Sequence, residues 1–161
     1  MEIYTSYFYQ IRFFKPNMIP LSTARFQPKW YGTKPYVDKN GVMNGLCARP
    51  FVLPEYYWNL LVEKSTECKK ECNQKDLVPN CGFMNIYREY LNTLDFNNIY
   101  SRCEKMADRI QKKIGFTEEP EIILIVHEAK SCNCAERPII QEWFKNNGYP
   151  ITEWERGNNN D

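Results

Sequence analysis

Between positions 127 and 137 the chain sets His127, Glu128, Cys132, Cys134 and Arg137, and this histidine is the only one in a sequence that carries seven cysteines. A thiol, an imidazole, a carboxylate and a guanidinium this close in sequence are the parts of a nucleophilic site. Cys134 would act as nucleophile or acid, His127 and Glu128 as base and orienter, and Arg137, joined by Arg25 from elsewhere in the chain, would neutralise a phosphate. Each residue also has a plainer use. A cysteine near a helix start is often a small buried side chain. A histidine at a strand end can satisfy backbone groups, and a Glu–Arg pair can be purely structural.

The elements on either side give these residues a definite place. Glu121-Ile-Ile-Leu-Ile-Val126 is a continuous apolar run behind Pro120, the pattern of a strand buried on both faces in a parallel sheet. Residues 137–147 follow with Ile139, Ile140, Trp143 and Phe144 at helical spacing and Gly148 as a C-cap. Residues 150–154 make a closing strand. The five residues therefore sit on a strand-to-helix loop, where open α/β sheets bind ligands and where the free N–H groups of a helix start favour an anion. The same helix end and Arg137 would lower the pKa of Cys132 or Cys134.

The earlier part of the chain supplies the rest of such a sheet. Residues 3–9, IYTSYFY, predict a strand near the start, and residues 18–24 predict a second. Pro28, Gly32 and Pro35 enforce a loop. Residues 36–54 predict a long ordered loop with strand pieces around Leu46 and Phe51. Helices are expected over 54–64, over 82–94 with Phe83, Ile86, Tyr87, Tyr90, Leu91 and Leu94 at helical spacing, and over 96–113 with Ile99, Cys103, Met106 and Ile110 on one face. The expected fold is α/β: a single three-layer domain over 1–156 with a mostly parallel sheet flanked by helices, followed by a polar tail over 157–161.

The remaining cysteines invite a metal reading. Cys68, Cys72 and Cys81, with Cys103 or the Cys132/Cys134 pair, could surround Zn²⁺, yet no Cys-x2-Cys knuckle is present. Free thiols on a loop are the preferred account and a zinc-stapled interaction protein the alternative; no cofactor is called for. Cys132 and Arg137 have the spacing of a rhodanese-like sulfurtransferase loop without its glycine, and they miss the tyrosine-phosphatase spacing by one residue.

Bulk properties narrow the function only slightly. Twenty-one basic against 20 acidic residues give a net charge of +1 over 161 residues, so any anion site must be local. No apolar run reaches the roughly 20 residues of a membrane span. The N-terminus lacks a signal-like segment and the cysteine number is odd, so the expectation is a cytoplasmic chain with no membrane partner. Eleven tyrosines suggest a tyrosine-lined groove, with Tyr4, Tyr7 and Tyr31 as candidates to stack on a ligand. Oligomeric state is not indicated.

Several stretches taken together resemble one family. "IYTSYF" at 3–8, "IPLSTARFQPKWY" at 19–31, "YREYLNTLD" at 87–95, then "HE", Cys134, Arg137, "IIQEWF" and "ITEW" resemble the domain of unknown function 488 (DUF488) family, in its bacterial and phage variants and in the family's order. The resemblance carries over Tyr4, Ser6, Ser22, Arg25, Pro28, Trp30, Tyr87, Tyr90, Glu128, Cys134, Arg137 and Trp143. Two positions depart from it: Val126 stands where the family has a cysteine, and Cys134-Ala-Glu-Arg137 lacks the family's loop histidine, which leaves His127 as the nearby imidazole. The resemblance implies that the "STAR" and "CAER" loops meet at one edge of an α/β sheet. It also implies a pocket that binds or processes a phosphate-bearing ligand, a nucleotide or nucleic acid, with Tyr4, Ser6, Ser22, Arg25 and Arg137 as ligand-binding residues. The alternative is a non-catalytic module for an anion or a protein.

Overall fold

In the computed structural model, residues 1–63, 82–127 and 136–157 are described. Four strands form one parallel sheet: β1 (Glu2–Tyr7), β2 (Met18–Ser22), β5 (Glu121–Val126) and β6 (Thr152–Glu153), in the order β2-β5-β1-β6. Two short strands, β3 (Tyr36–Val37) and β4 (Met43–Asn44), pair antiparallel outside it. The α-helices among the described residues are α1 (Glu55–Glu63), α2 (Gly82–Leu91), α3 (Phe96–Ile114) and α4 (Glu136–Asn146). The chain is thus an α/β protein with a mostly parallel sheet.

β5 occupies the middle because its sequence permits nothing else: Ile122 through Val126 are all fully buried. Each such aliphatic side chain contributes roughly 1.5–3 kcal/mol relative to exposure. Its alternate residues enter two different cores. Ile122, Leu124 and Val126 join Ile3, Ile19 and Leu21 under the helices, where Met84, Tyr87, Leu91, Ile99, Ile140 and Phe144 cover them. Ile123 and Ile125 face the other way, with Phe8, Ile11, Phe14, Tyr31, Val42 and Trp154. That second layer is a 3-10 turn, Phe8–Phe13, together with the segment from Ala24 to Val42, and among the described residues it carries no α-helix. The expected strand over 3–9 therefore ends at Tyr7. The aromatic residues after it turn over the sheet instead of extending it, because two of them, Phe8 and Phe14, are needed as its lid.

Local signals account for most boundaries. α3 starts at Asp95, whose carboxylate accepts a hydrogen bond from the Asn98 N–H at 3.2 Å, and ends at Gly115 with φ +89°. The segment expected around Leu46 runs beside the edge strand β2: Ser22 N donates to Leu46 O and Ala48 N to Ser22 O. The piece around Phe51 is a 3-10 turn, Arg49–Phe51, and not a strand; Pro50 removes a donor there. Tyr31 ties the covering loop down by placing its buried hydroxyl between the carbonyls of Pro20 and Leu46. Gly45, at φ +84°, lets this loop close, since a Cβ there would lie 2.1 Å from the Lys34 carbonyl oxygen.

Candidate functional site

The carboxyl ends of β2, β5 and β1 bring Ser22, Val126 and Tyr7 to one edge of the sheet. The residues just beyond them are Thr23, His127 and Phe8. Thr23 ties this edge together: its N–H and its hydroxyl both donate to Ile125 O, at 2.9 and 3.0 Å, and the hydroxyl lies 3.3 Å from Glu136 Oε2. The loop after β2 and the start of α4 therefore meet. Glu136 is itself the acidic group in the first turn of α4, so the helix dipole there is already matched by a carboxylate of the chain.

His127 is exposed and sets its ring edge-on to Phe8 at 5.9 Å. Phe8 in turn meets Trp30 at 6.2 Å and Tyr31 at 5.3 Å. Trp30 is 52% exposed and Phe26, on the same loop, 68%. Between them in sequence, Gln27 holds the loop by donating to Ser22 Oγ and Ala24 O. Arg25 is half-buried. Its Nη1 donates to Leu53 O at 3.0 Å, and its guanidinium carbon lies 5.0 Å from the Trp58 ring, which also touches Phe26. One of its five N–H groups is thereby used. Among the described residues Arg25 has no carboxylate partner. Lys29 and Lys34 are exposed on the same loop.

Arg137 is in a different situation. It is 4% exposed and its Nε lies 2.6 Å from Glu153 Oε2. Thr5 Oγ1 donates to that same oxygen at 2.6 Å, and Gln141 Nε2 donates to Thr5 Oγ1 at 2.8 Å. Burial raises the Glu153 carboxyl above its ordinary value, against the opposing pulls of the Thr5 hydroxyl and Arg137. This network joins β1, β6 and α4. Arg137 is held by it, so the expected pair of arginines on a phosphate reduces to Arg25.

The other expected ligand groups are also engaged within the fold. Ser6 Oγ donates to Trp154 O at 2.8 Å, and Ser22 Oγ accepts from Ala24 N and Gln27. Tyr4 is half-buried against the loop-covered core, and its hydroxyl is shifted up by burial and then by Glu121 and Glu2. Tyr7 accepts from Gln10 and lies beside Arg137. Tyr31 is fully buried and cannot stack on a ligand. Among the described residues the exposed rings are instead Tyr9, Phe26, Trp30, Tyr36 and, on α1, Tyr56. Of these, Trp30 is marked by the family resemblance, whereas nothing in the spacing of Phe26 or Tyr56 separates an exposed ring from a buried one.

Glu128, Cys132 and Cys134 lie outside the described residues, as do Cys68, Cys72 and Cys81. Among the described residues no three His, Cys, Asp or Glu side chains are grouped to hold a metal ion. No helix among them is long and apolar enough to cross a membrane. Family models, curated proteins and solved structures were each compared with the chain, and none matches.

Proposed function

We propose that the chain binds a phosphate-bearing ligand, a nucleotide or a nucleic-acid strand, at the carboxyl edge of its sheet. The observation that carries this reading is the half-buried Arg25, which lies over Trp58 beside the exposed ring of Phe26, with Trp30 exposed on the same loop. Flat rings accept bases by stacking, and a guanidinium fixed by one carbonyl and one ring presents its remaining N–H groups to phosphate oxygens. Lys29 and Lys34 add positive charge alongside. The order of motifs that resembles the DUF488 family supports the same class of ligand.

Binding is the primary role in this reading. Processing of the ligand by Cys134, with His127 and Glu128, is the further step, and a turnover assay addresses it. The test of binding is a tryptophan-fluorescence titration with mononucleotides and with a short oligothymidylate at two salt concentrations. Saturable quenching that weakens with salt is expected, and Phe26→Ala and Trp30→Ala should each weaken it. Wild-type affinity in both ring variants, or no binding at millimolar nucleotide, would overturn the proposal.

A further inference from the structure

β2 is an edge strand, and residues 46–48 run beside it before the 3-10 turn Arg49–Phe51. Two tyrosines of α2 fix that turn: Tyr87 donates to Phe51 O at 2.6 Å and Tyr90 to Pro50 O at 2.5 Å. α3 crosses the same region from Ile99 to Met106. The turn and the helix do not close on each other, and a cavity of about 350 Å³ remains between them. That volume is at the lower end of the range for small-molecule sites, about 300–1,000 Å³.

The lining divides by chemistry. Leu21, Phe51 and Ile99 give it an apolar floor, and the thiols of Cys47 and Cys103 line it as well. Among the described residues its charged lining is two cations, Arg49 and Arg102, with no carboxylate. Both arginines are exposed, and among the described residues neither has an acidic partner. The thiols do not neutralise them. Burial raises Cys47 and raises Cys103 to about 11, with Arg49 and Arg102 pulling the other way, so both remain uncharged at neutral pH.

Apolar side chains beside two guanidiniums that have no acidic partner among the described residues are complementary to one kind of molecule. We propose that this cavity binds a small amphipathic anion, a hydrocarbon body with a single carboxylate or phosphate head, the body against Leu21, Phe51 and Ile99 and the head between Arg49 and Arg102. The site shares no lining residue with the carboxyl edge and stands independently of the function proposed there.

Calorimetric titration with octanoate, octyl phosphate, octanol and acetate tests it on the whole chain. Octanoate or octyl phosphate should bind, the tighter of the two identifying the head group, while octanol and acetate bind at least about tenfold more weakly. Arg49→Ala and Arg102→Ala should each weaken the anion by roughly tenfold. Both residues are exposed, and unchanged melting temperatures would show that the variants fold. Bound anion should also slow N-ethylmaleimide modification of Cys47, read by peptide mass. Absence of binding, octanol binding as tightly as the anions, or arginine variants with wild-type affinity would each overturn the proposal.

Discussion

The Arg137 guanidinium and the Glu153 carboxylate meet at 2.6 Å with side chains only 5% and 8% exposed, and they join α4 to the last strand of the sheet. Removing one partner of such a pair leaves the other as an uncompensated buried charge. Arg137→Ala should therefore cost about 3–5 kcal/mol in urea unfolding. Arg137→Met combined with Glu153→Leu should cost much less, because it removes both charges together. Equal losses in the two variants would show that packing rather than charge explains the effect.

The same pair changes how a loss of ligand binding is interpreted. Arg137→Ala would impair binding through the fold, so Arg25→Ala is the informative variant. We expect it to weaken nucleotide or oligonucleotide binding by about tenfold and to reduce the salt dependence by about one charge, with the melting temperature nearly unchanged. Cys134→Ser should bind like the wild type. If Cys134→Ser abolishes binding while Arg25→Ala does not, the ligand depends on Cys134 and not on Arg25.

Much of the architecture was legible from the sequence because burial leaves a periodic trace. The run at 121–126 is β5 with the boundaries its apolar residues set, and α3 keeps Ile99, Cys103 and Ile110 buried as their spacing requires. Met106, expected with them, is only partly buried and lines the cavity. Other features leave no such trace. The partners Thr5 and Glu153 are 148 positions apart, and no periodicity indicates that a glutamate of a short strand will be the buried partner of Arg137. Exposed Phe26 and Trp30 are indistinguishable by type from buried Phe8 and Tyr31; only the path of the loop separates them. The placement of His127 at the strand end was readable, since it follows directly from where β5 stops.

Two carboxyls should give stability an unusual pH dependence. Glu121 is raised above its ordinary value of 4.5 by burial, then by Glu2, its register neighbour on β1, with Lys15 opposing. Glu153 is raised by burial as well. Both hold a proton more readily folded than unfolded. Their contribution is therefore greatest below about 4.5 and is lost as pH rises through the folded-state values. Glu121→Gln should flatten the profile of unfolding free energy between pH 4 and 7 and stabilise the chain at pH 7 by a few tenths of a kcal/mol. A variant with the wild-type slope would rule out Glu121 as a source.

Gly45 and Gly115 have similar backbone angles, φ +84° and +89°, but very different surroundings. Nothing lies within 4 Å of a Cβ placed at 115, whereas one at 45 would lie 2.1 Å from Lys34 O and 2.6 Å from its carbonyl carbon. Gly115→Ala should cost only the left-handed penalty of about 1 kcal/mol. Gly45→Ala should cost several times that and should raise amide exchange across the loop that covers Ile123 and Ile125. Equal costs would mean that the loop can move away from β2 freely.

The strand order has a consequence for how the chain comes to be folded. β1 and β2 are consecutive in sequence, yet β5 lies between them and pairs with both. Synthesised from the N-terminus, the first two strands emerge without the partner that joins them, and they wait for about a hundred further residues until Glu121–Val126 leaves the ribosome. The sheet then forms by long-range closures that carry a large loop entropy, the arrangement associated with slow folding. During that interval Ile3, Ile19 and Leu21 have no core to enter, so the nascent chain should depend on chaperone protection most strongly before β5 is made.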